Sequence, residues 1–493
     1  MYGDQMKSLV TAVSAIAMLV AAPSAFAQTI TNEELLERLE RLEQQNAELR
    51  EEVRSLRAEE GIVRVPDTSA EAATNNRNGF VSTNVDYSYR ILDHAEDIST
   101  KPVVQLRARQ NGDLTSSLTL SGQITALANI QQSNRDSKFG YLMRHPTSAN
   151  QIGENVSEAV IHSANLAVTA QLNDWITGYV ELQYSPEQSF GTGTITSLGR
   201  NQIEARQAYM IFGNLDESPL YAAIGKLYTP FGLNDSVSPF TNSTNWHAFA
   251  GLAYGAQVGY VQDGLMLRAM AIQGGAQFRA HNVPVSGTSV PSRVNNFAVD
   301  GNYTFALSDE NSAMVGASYT HGSAYCQAYP VFHFNPCDEN NPAWSVYGRA
   351  NFGPLELLGE FASTTKDWPG SAVPDPTNPL SQYEAQRTHS FTLGGRFGFG
   401  DQHPNGRYLN AVSLEFSNFR AGDDGAPWER QNQLVLGYSR FVGENINLFA
   451  ELVHVEGFAP LNFVSGGNFP DGSTWSDRDA TTDVLLFGAQ AAF

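Results

Sequence analysis

Trp175-Ile176-Thr177-Gly178-Tyr179-Val180-Glu181-Leu182-Gln183-Tyr184 alternates along its length. Ile176, Val180, Leu182 and Tyr184 share one face of a strand, and Thr177, Glu181 and Gln183 share the other. A period of two makes one face apolar and the other polar. The pattern recurs upstream, where Leu118, Leu120, Ile124 and Ile130 oppose Thr119, Ser121, Gln123, Thr125 and Asn129. In a soluble sandwich the apolar face is the core. In an outer-membrane barrel it faces lipid, and the polar face lines the lumen.

Link lengths separate the two cases. Short links are expected at 173–174, 214–218, 263–264, 309–311, 353–354, 401–407 and 443–445. Longer polar links fall between them, at 132–158, 185–201, 229–252, 274–293, 323–342, 366–386, 421–428 and 458–481. Seven short links alternating with eight long ones make sixteen strands, about 24 residues per strand and link over 114–493. Short periplasmic turns and long extracellular loops are the asymmetry of an outer-membrane barrel, and a soluble sandwich has no reason for it. The fold class expected is therefore all-β, a transmembrane antiparallel barrel over 114–493. The last strand agrees: Leu485, Phe487, Ala489, Ala491 and Phe493 alternate to the end of the chain. This resembles the terminal signal that barrel-assembly machinery reads. Aromatics near strand ends (Tyr184, Tyr209, Phe212, Tyr221, Tyr228, Phe441, Phe449) suit interfacial girdles.

Composition fits this class. The chain has 493 residues, 16% of them charged, with 51 acidic and 30 basic side chains and a formal charge of −21. Net acidity and the lack of a basic patch exclude a nucleic-acid partner. Membrane helices would need apolar runs of about 20 residues, and the longest run here, Leu9–Ala22, is shorter. With Lys7 before it and Pro23-Ser24-Ala25-Phe26-Ala27 after it, that run reads as a signal peptide over 1–27. A retained anchor helix is the competing reading.

Residues 28–60 carry heptads, with Leu35, Leu42, Leu49 and Leu56 at d, and Asn32, Leu39, Asn46 and Val53 at a. The expected element is a periplasmic coiled coil, and Arg38-Leu39-Glu40-Arg41-Leu42-Glu43 resembles the signature of short trimeric ones. A solvated spacer helix is the alternative. Residues 61–113 read as a linker and pre-barrel segment.

Alternation turns nine charges toward the lumen: Glu181, Glu204, Arg206, Arg268, Arg349, Glu360, Arg396, Glu415 and Glu451. They form either an internal salt-bridge network or a transverse field that sets selectivity. Loop acidity would favour cations. The third long link, 229–252, is either a surface loop or one folded inward as in general porins, with Tyr228 and Asp235 as constriction candidates. Cys326 and Cys337 lie in one predicted external loop and are expected to form a disulfide, in preference to a metal site with His333. Asp471, Asp477, Asp479 and Asp483 read as a solvated acidic cluster rather than a cation or lipopolysaccharide site. No catalytic constellation or metal spacing appears among the ten histidines, so no enzyme and no cofactor are expected.

Residues 206–232, with Ala208-Tyr209, Gly213-Asn214-Leu215, Ser218-Pro219, Gly225-Lys226 and Pro230-Phe231-Gly232, resemble the LbtU-type siderophore-porin family of Gram-negative outer membranes. The resemblance implies a signal peptide, a short coiled coil, a sixteen-strand-like barrel and passage of a ferric siderophore or similar solute without an energy-coupled plug. No globular domain of about 150 residues precedes the barrel here, in keeping with that expectation. The function expected is a trimeric outer-membrane porin giving passage to small solutes. The alternative is a structural or adhesive barrel with a closed lumen, tethered by its coiled coil.

Overall fold

A computed structural model describes residues 79–493, except 137, 142–152, 186–201, 276–282, 289, 291, 309, 327–336, 338, 370–378, 404–405 and 460–475. The signal peptide, the coiled-coil seam and the 61–78 part of the linker lie outside the described residues.

Sixteen strands form the barrel. They are β2 (Leu118–Ser133), β3 (Asn155–Gln171), β4 (Ile176–Ser185), β5 (Gln202–Gly213), β6 (Leu220–Tyr228), β7 (Leu252–Gln262), β8 (Leu265–Gly275) and β9 (Asn296–Ala306). Then follow β10 (Asn311–Thr320), β11 (Ala343–Phe352), β12 (Leu355–Asp367), β13 (Arg387–Gln402), β14 (Tyr408–Arg420), β15 (Arg430–Val442), β16 (Ile446–Phe458) and β17 (Asp477–Ala492). Each pairs antiparallel with its neighbours in sequence, and β17 pairs with β2, so the sheet closes. The tightest connections, 263–264 and 353–354, lie at the same end as the start of β2 and the end of β17. The long links lie at the other.

The faces are inverted relative to a soluble β protein. Val180, Leu182, Ile130 and Leu393 point outward and are exposed, whereas Thr177, Glu181 and Gln183 point inward and are buried. This is the architecture of an outer-membrane barrel. The aromatic girdle expectation needs correction. Tyr209, Tyr221, Tyr228, Phe441 and Phe449 are buried inside the barrel, and of the seven aromatics named, Phe212 stands clearly exposed. Parity along the strands decides this, because proximity to a strand end does not determine the face.

A larger correction concerns 79–113, which is no bare linker. A short strand β1 (Val81–Thr83) runs parallel to β2 from Leu118 to Leu120. It takes up the edge of β2 below the point where β17 ends against Gln123. Helix α1 (Val85–Ile91) follows, capped by Asn84, whose side chain accepts the Tyr87 N–H. A single 3-10 turn at Ile98–Thr100 leads into α2 (Lys101–Gln110), which has Pro102 in its first turn and stops before Gly112 at φ +80°. Tyr87, Ile91, Leu92, Val103, Val104 and Leu106 pack on the inward side chains of Tyr179, Tyr209, Ile211, Met270 and Ile272. The segment is thus a small helical plug seated in the barrel at its short-turn end. The segment is far smaller than the ~150-residue domain of an energy-coupled plug, yet six buried apolar side chains in about 30 residues dock it firmly.

Candidate functional site: the barrel interior

Two elements fill the interior, one on each side. The plug covers the inner faces of β3 to β9. The third long link, residues 229–251, covers those of β12 to β16. This link folds into the barrel, and its residues 229–238 and 241–245 are all buried. Within it, α3 (Thr244–Phe249) is capped by Ser243 and packs near Tyr325, Trp368, Phe419 and Trp428.

A row of carboxylates on alternate strands holds the inward link. Glu360 on β12 accepts the N–H groups of Leu233 (3.1 Å) and Asn234 (2.7 Å). Glu415 on β14 accepts Val237 N–H (2.8 Å) and the Ser236 hydroxyl (2.6 Å). Glu451 on β16 accepts Phe240 N–H (2.8 Å), Thr241 N–H (3.0 Å) and the Thr241 hydroxyl. A loop carried into a barrel leaves its backbone N–H groups short of partners, and ionised carboxylates are strong acceptors for them. Gly232 makes the approach feasible. It sits at φ +67°, and a Cβ there would lie 2.2 Å from the Glu360 carboxylate. Glu360, Glu415 and Glu451 therefore point inward, as alternation predicts, but they face the backbone of the link and not open water.

The arginines belong to a second network, which ties plug, link and wall together. Glu96, between α1 and α2, receives Arg396 and, at 3.0 Å, Arg407. Arg396 also bonds Glu356, which lies 3.3 Å from Arg349. Arg349 reaches Asp235 of the inward link at 2.6 Å. The same Asp235 carboxylate accepts the N–H groups of Asp97 (3.1 Å) and Ile98 (3.2 Å) on the plug. Arg268 pairs with Asp300 at 2.7 Å and donates to the Ser99 carbonyl. Net pull from the two guanidiniums holds the Glu96 carboxyl below the ordinary carboxylate range, despite burial. Lys101 is fully enclosed and donates to the carbonyls of Arg90 (2.7 Å) and Glu96 (3.1 Å), which folds the plug on itself. Burial lowers its pKa, while Asp93 and Asp97 oppose that shift.

The remaining candidates divide. Glu181 is buried beside His94 of the plug at 3.5 Å and accepts from Gln207. Arg206 donates to Gln183 and to the Tyr228 hydroxyl, each at 2.6 Å. Glu204 is half-buried on β5 and makes no ion pair among the described residues. None of the four named arginines forms an ion pair with the five named glutamates among the described residues. Arg268, Arg349 and Arg396 pair with Asp300, Asp235, Glu356 and Glu96, of which only Asp235 stood out in the sequence, and Arg206 bonds neutral groups. Asp300 and Glu356 were recoverable from strand parity; Glu96 was not, because nothing marked 79–113 as interior. Cys326 and Cys337 are joined by a disulfide and buried. In the acidic cluster, Asp477 pairs with Arg135 and Asp483 bonds His454, while Asp471 lies outside the described residues.

Between the plug and the inner faces of β8 to β11 remains a cavity of about 200 Å³. It reaches from Leu233 and Asp235 down to Gly264 in the 263–264 turn.

No family model matches the chain. A UPF0422 protein of Coxiella burnetii (strain RSA 493 / Nine Mile phase I) is 26% identical over 204 residues, 40% of each chain. The chain thus matches about two fifths of that relative's length. Among solved structures, an anion-selective porin from Comamonas acidovorans is 13% identical with a TM-score of 0.45, over 76% of this chain and 99% of that one. The channel DcaP of Acinetobacter baumannii is 14% identical with a TM-score of 0.46, over 76% and 97%. Pseudomonas putida OprB is 9% identical with a TM-score of 0.46, over 82% and 100%.

Proposed function

We propose that the chain is an outer-membrane channel for small polar solutes whose conduit is set jointly by the plug and the inward link. The observation that carries this reading is the closed sixteen-strand barrel with a polar, charged interior that keeps a cavity open toward one end. On this reading the short turns face the periplasm, the long links face outward, and the coiled coil lies in the periplasm and supports a homotrimer. The Phe493 strand is the part offered to the barrel-assembly machinery, and lipid with lipopolysaccharide surrounds the wall.

The likeness over 206–232 extends the proposal to ferric siderophores. The cavity adds a condition. At about 200 Å³ it is smaller than the ~300–1,000 Å³ of sites that hold drug-sized ligands, so a siderophore passes only when the plug is displaced. The same filling of the interior favours a second reading, a structural barrel with a closed lumen. Single-channel recording of the purified protein in a planar bilayer decides between them. Stable conductance steps support the channel. A folded barrel that stays silent, with the plug anchored or loosened, refutes it.

A further inference from the structure

We propose that the cavity between plug and wall is a binding site for a small carboxylate- or phosphate-bearing anion, with Arg90 and Arg107 as its principal contacts. The inference rests on the channel reading and names the class of solute it takes.

The charges that face the cavity can be paired off. Arg268 is committed to Asp300 at 2.7 Å. Arg349 is committed to Asp235 at 2.6 Å. Two guanidiniums remain, Arg90 at the end of α1 and Arg107 on α2, and both line the cavity. Neither makes an ion pair or a side-chain hydrogen bond among the described residues. Asp97 is the one carboxylate on the lining left to oppose them. Asn302 and Asn351 on the wall opposite bring neutral hydrogen-bonding groups.

Within the cavity, then, charge runs against the acidity of the chain as a whole. Guanidinium forks match carboxylate and phosphate oxygens in geometry, and two of them on the lining of one space, Arg90 half-buried and Arg107 exposed, favour an anion over a cation. Low-dielectric walls focus that preference. A space of about 200 Å³ holds a small anion with part of its hydration shell. The plug therefore supplies the solute-recognising charges as well as the obstruction. That arrangement places selectivity on the plug and not on the sheet.

The test uses the full chain purified from membranes, with inorganic phosphate as the probe. Phosphate binding is measured by calorimetry on the detergent-solubilised barrel, and ion selectivity from reversal potentials in a salt gradient. The variants are R90Q, R107Q and the double variant, with heat-modifiable gel migration as the folding control. Each substitution should weaken phosphate binding by roughly tenfold, as expected for loss of one charge-assisted contact. The double variant should also shift the reversal potential toward cations. Phosphate binding and selectivity unchanged in the folded double variant would overturn the site, as would no phosphate binding by the parent protein. A silent barrel that still binds phosphate through these arginines overturns the channel reading and keeps the site. A conducting barrel whose selectivity and phosphate binding ignore both arginines does the reverse.

Discussion

Replacing Glu96 by Gln should loosen the plug while leaving the barrel intact. Glu96 is the point where the plug meets two wall guanidiniums, Arg396 and Arg407, and its side chain is 14% exposed. A charge-assisted hydrogen bond contributes about 1.5–3 kcal/mol, and a half-exposed pair much less. Arg407 is 34% exposed, so its contact counts for little; Arg396 is better enclosed but keeps Glu356 after the substitution. The loss of docking free energy should therefore be about 2 kcal/mol, roughly a thirtyfold rise in the population of the undocked segment. The apolar contacts of Tyr87, Ile91, Leu92 and Val103 remain, so the plug stays docked most of the time. Hydrogen exchange reads this directly: amides of 85–110 should lose about thirtyfold protection, and those of β12 to β16 should not change. In a bilayer the same variant should open more often. Unchanged protection across 85–110 in a folded Glu96→Gln barrel would refute the claim that this clamp holds the plug.

Other outcomes follow from the same geometry. The Glu96 carboxyl lies below its ordinary value of 4.5 in the docked state, so its contribution is complete above that pH and is lost as pH falls toward the docked value. Asp235, which burial raises to about 7 against the pull of Arg349, slopes the opposite way between 3.8 and about 7. The extra protection of 85–110 in the parent protein over Glu96→Gln should accordingly shrink as pH falls from 4.5 toward about 3, measured by exchange on both proteins at each pH. Gly122→Val should impair closure of the barrel, because a Cβ there would stand 2.0 Å from the Phe493 ring; the yield of heat-modifiable folded protein measures it. Cys326→Ser should lower stability by about 2–3 kcal/mol, since the disulfide closes a short link whose two ends are buried; thermal unfolding with and without reductant checks this.

The barrel was legible because period-two alternation and the contrast of short and long links are properties of the chain itself. Val180 and Glu181 face opposite ways whatever else the protein does. The interior was legible only in part. Parity places Glu360, Glu415 and Glu451 inside, but it cannot say whether water or a loop backbone meets them. One signal did exist. Ile211, Met270 and Ile272 point inward, so their strands are apolar on both faces, and an inward apolar patch needs a cover. The cover is the 85–110 segment, whose two short helices are too brief to show a persuasive period and whose polar residues resemble a linker. Its placement depends on contacts separated by more than a hundred residues, such as Glu96 with Arg396 and Ser99 with Arg268, and no local pattern encodes these.

The edge of β2 below the last strand has a consequence for the order of folding. Phe493 exchanges backbone hydrogen bonds with Gly122, the Ser88 hydroxyl donates to the Phe493 carbonyl, and the Tyr89 hydroxyl donates to the carbonyl of Asn445. Pairing of β16 with β17 brings the Phe493 and Asn445 carbonyls together, and Gly122 joins them once β17 has met β2. Until then β1 has no defined stretch of edge to occupy. A seam closed one residue out of register would move the Phe493 carbonyl by more than 3 Å and leave Ser88 without it. Complete docking of the plug and a seam joined in register thus depend on each other.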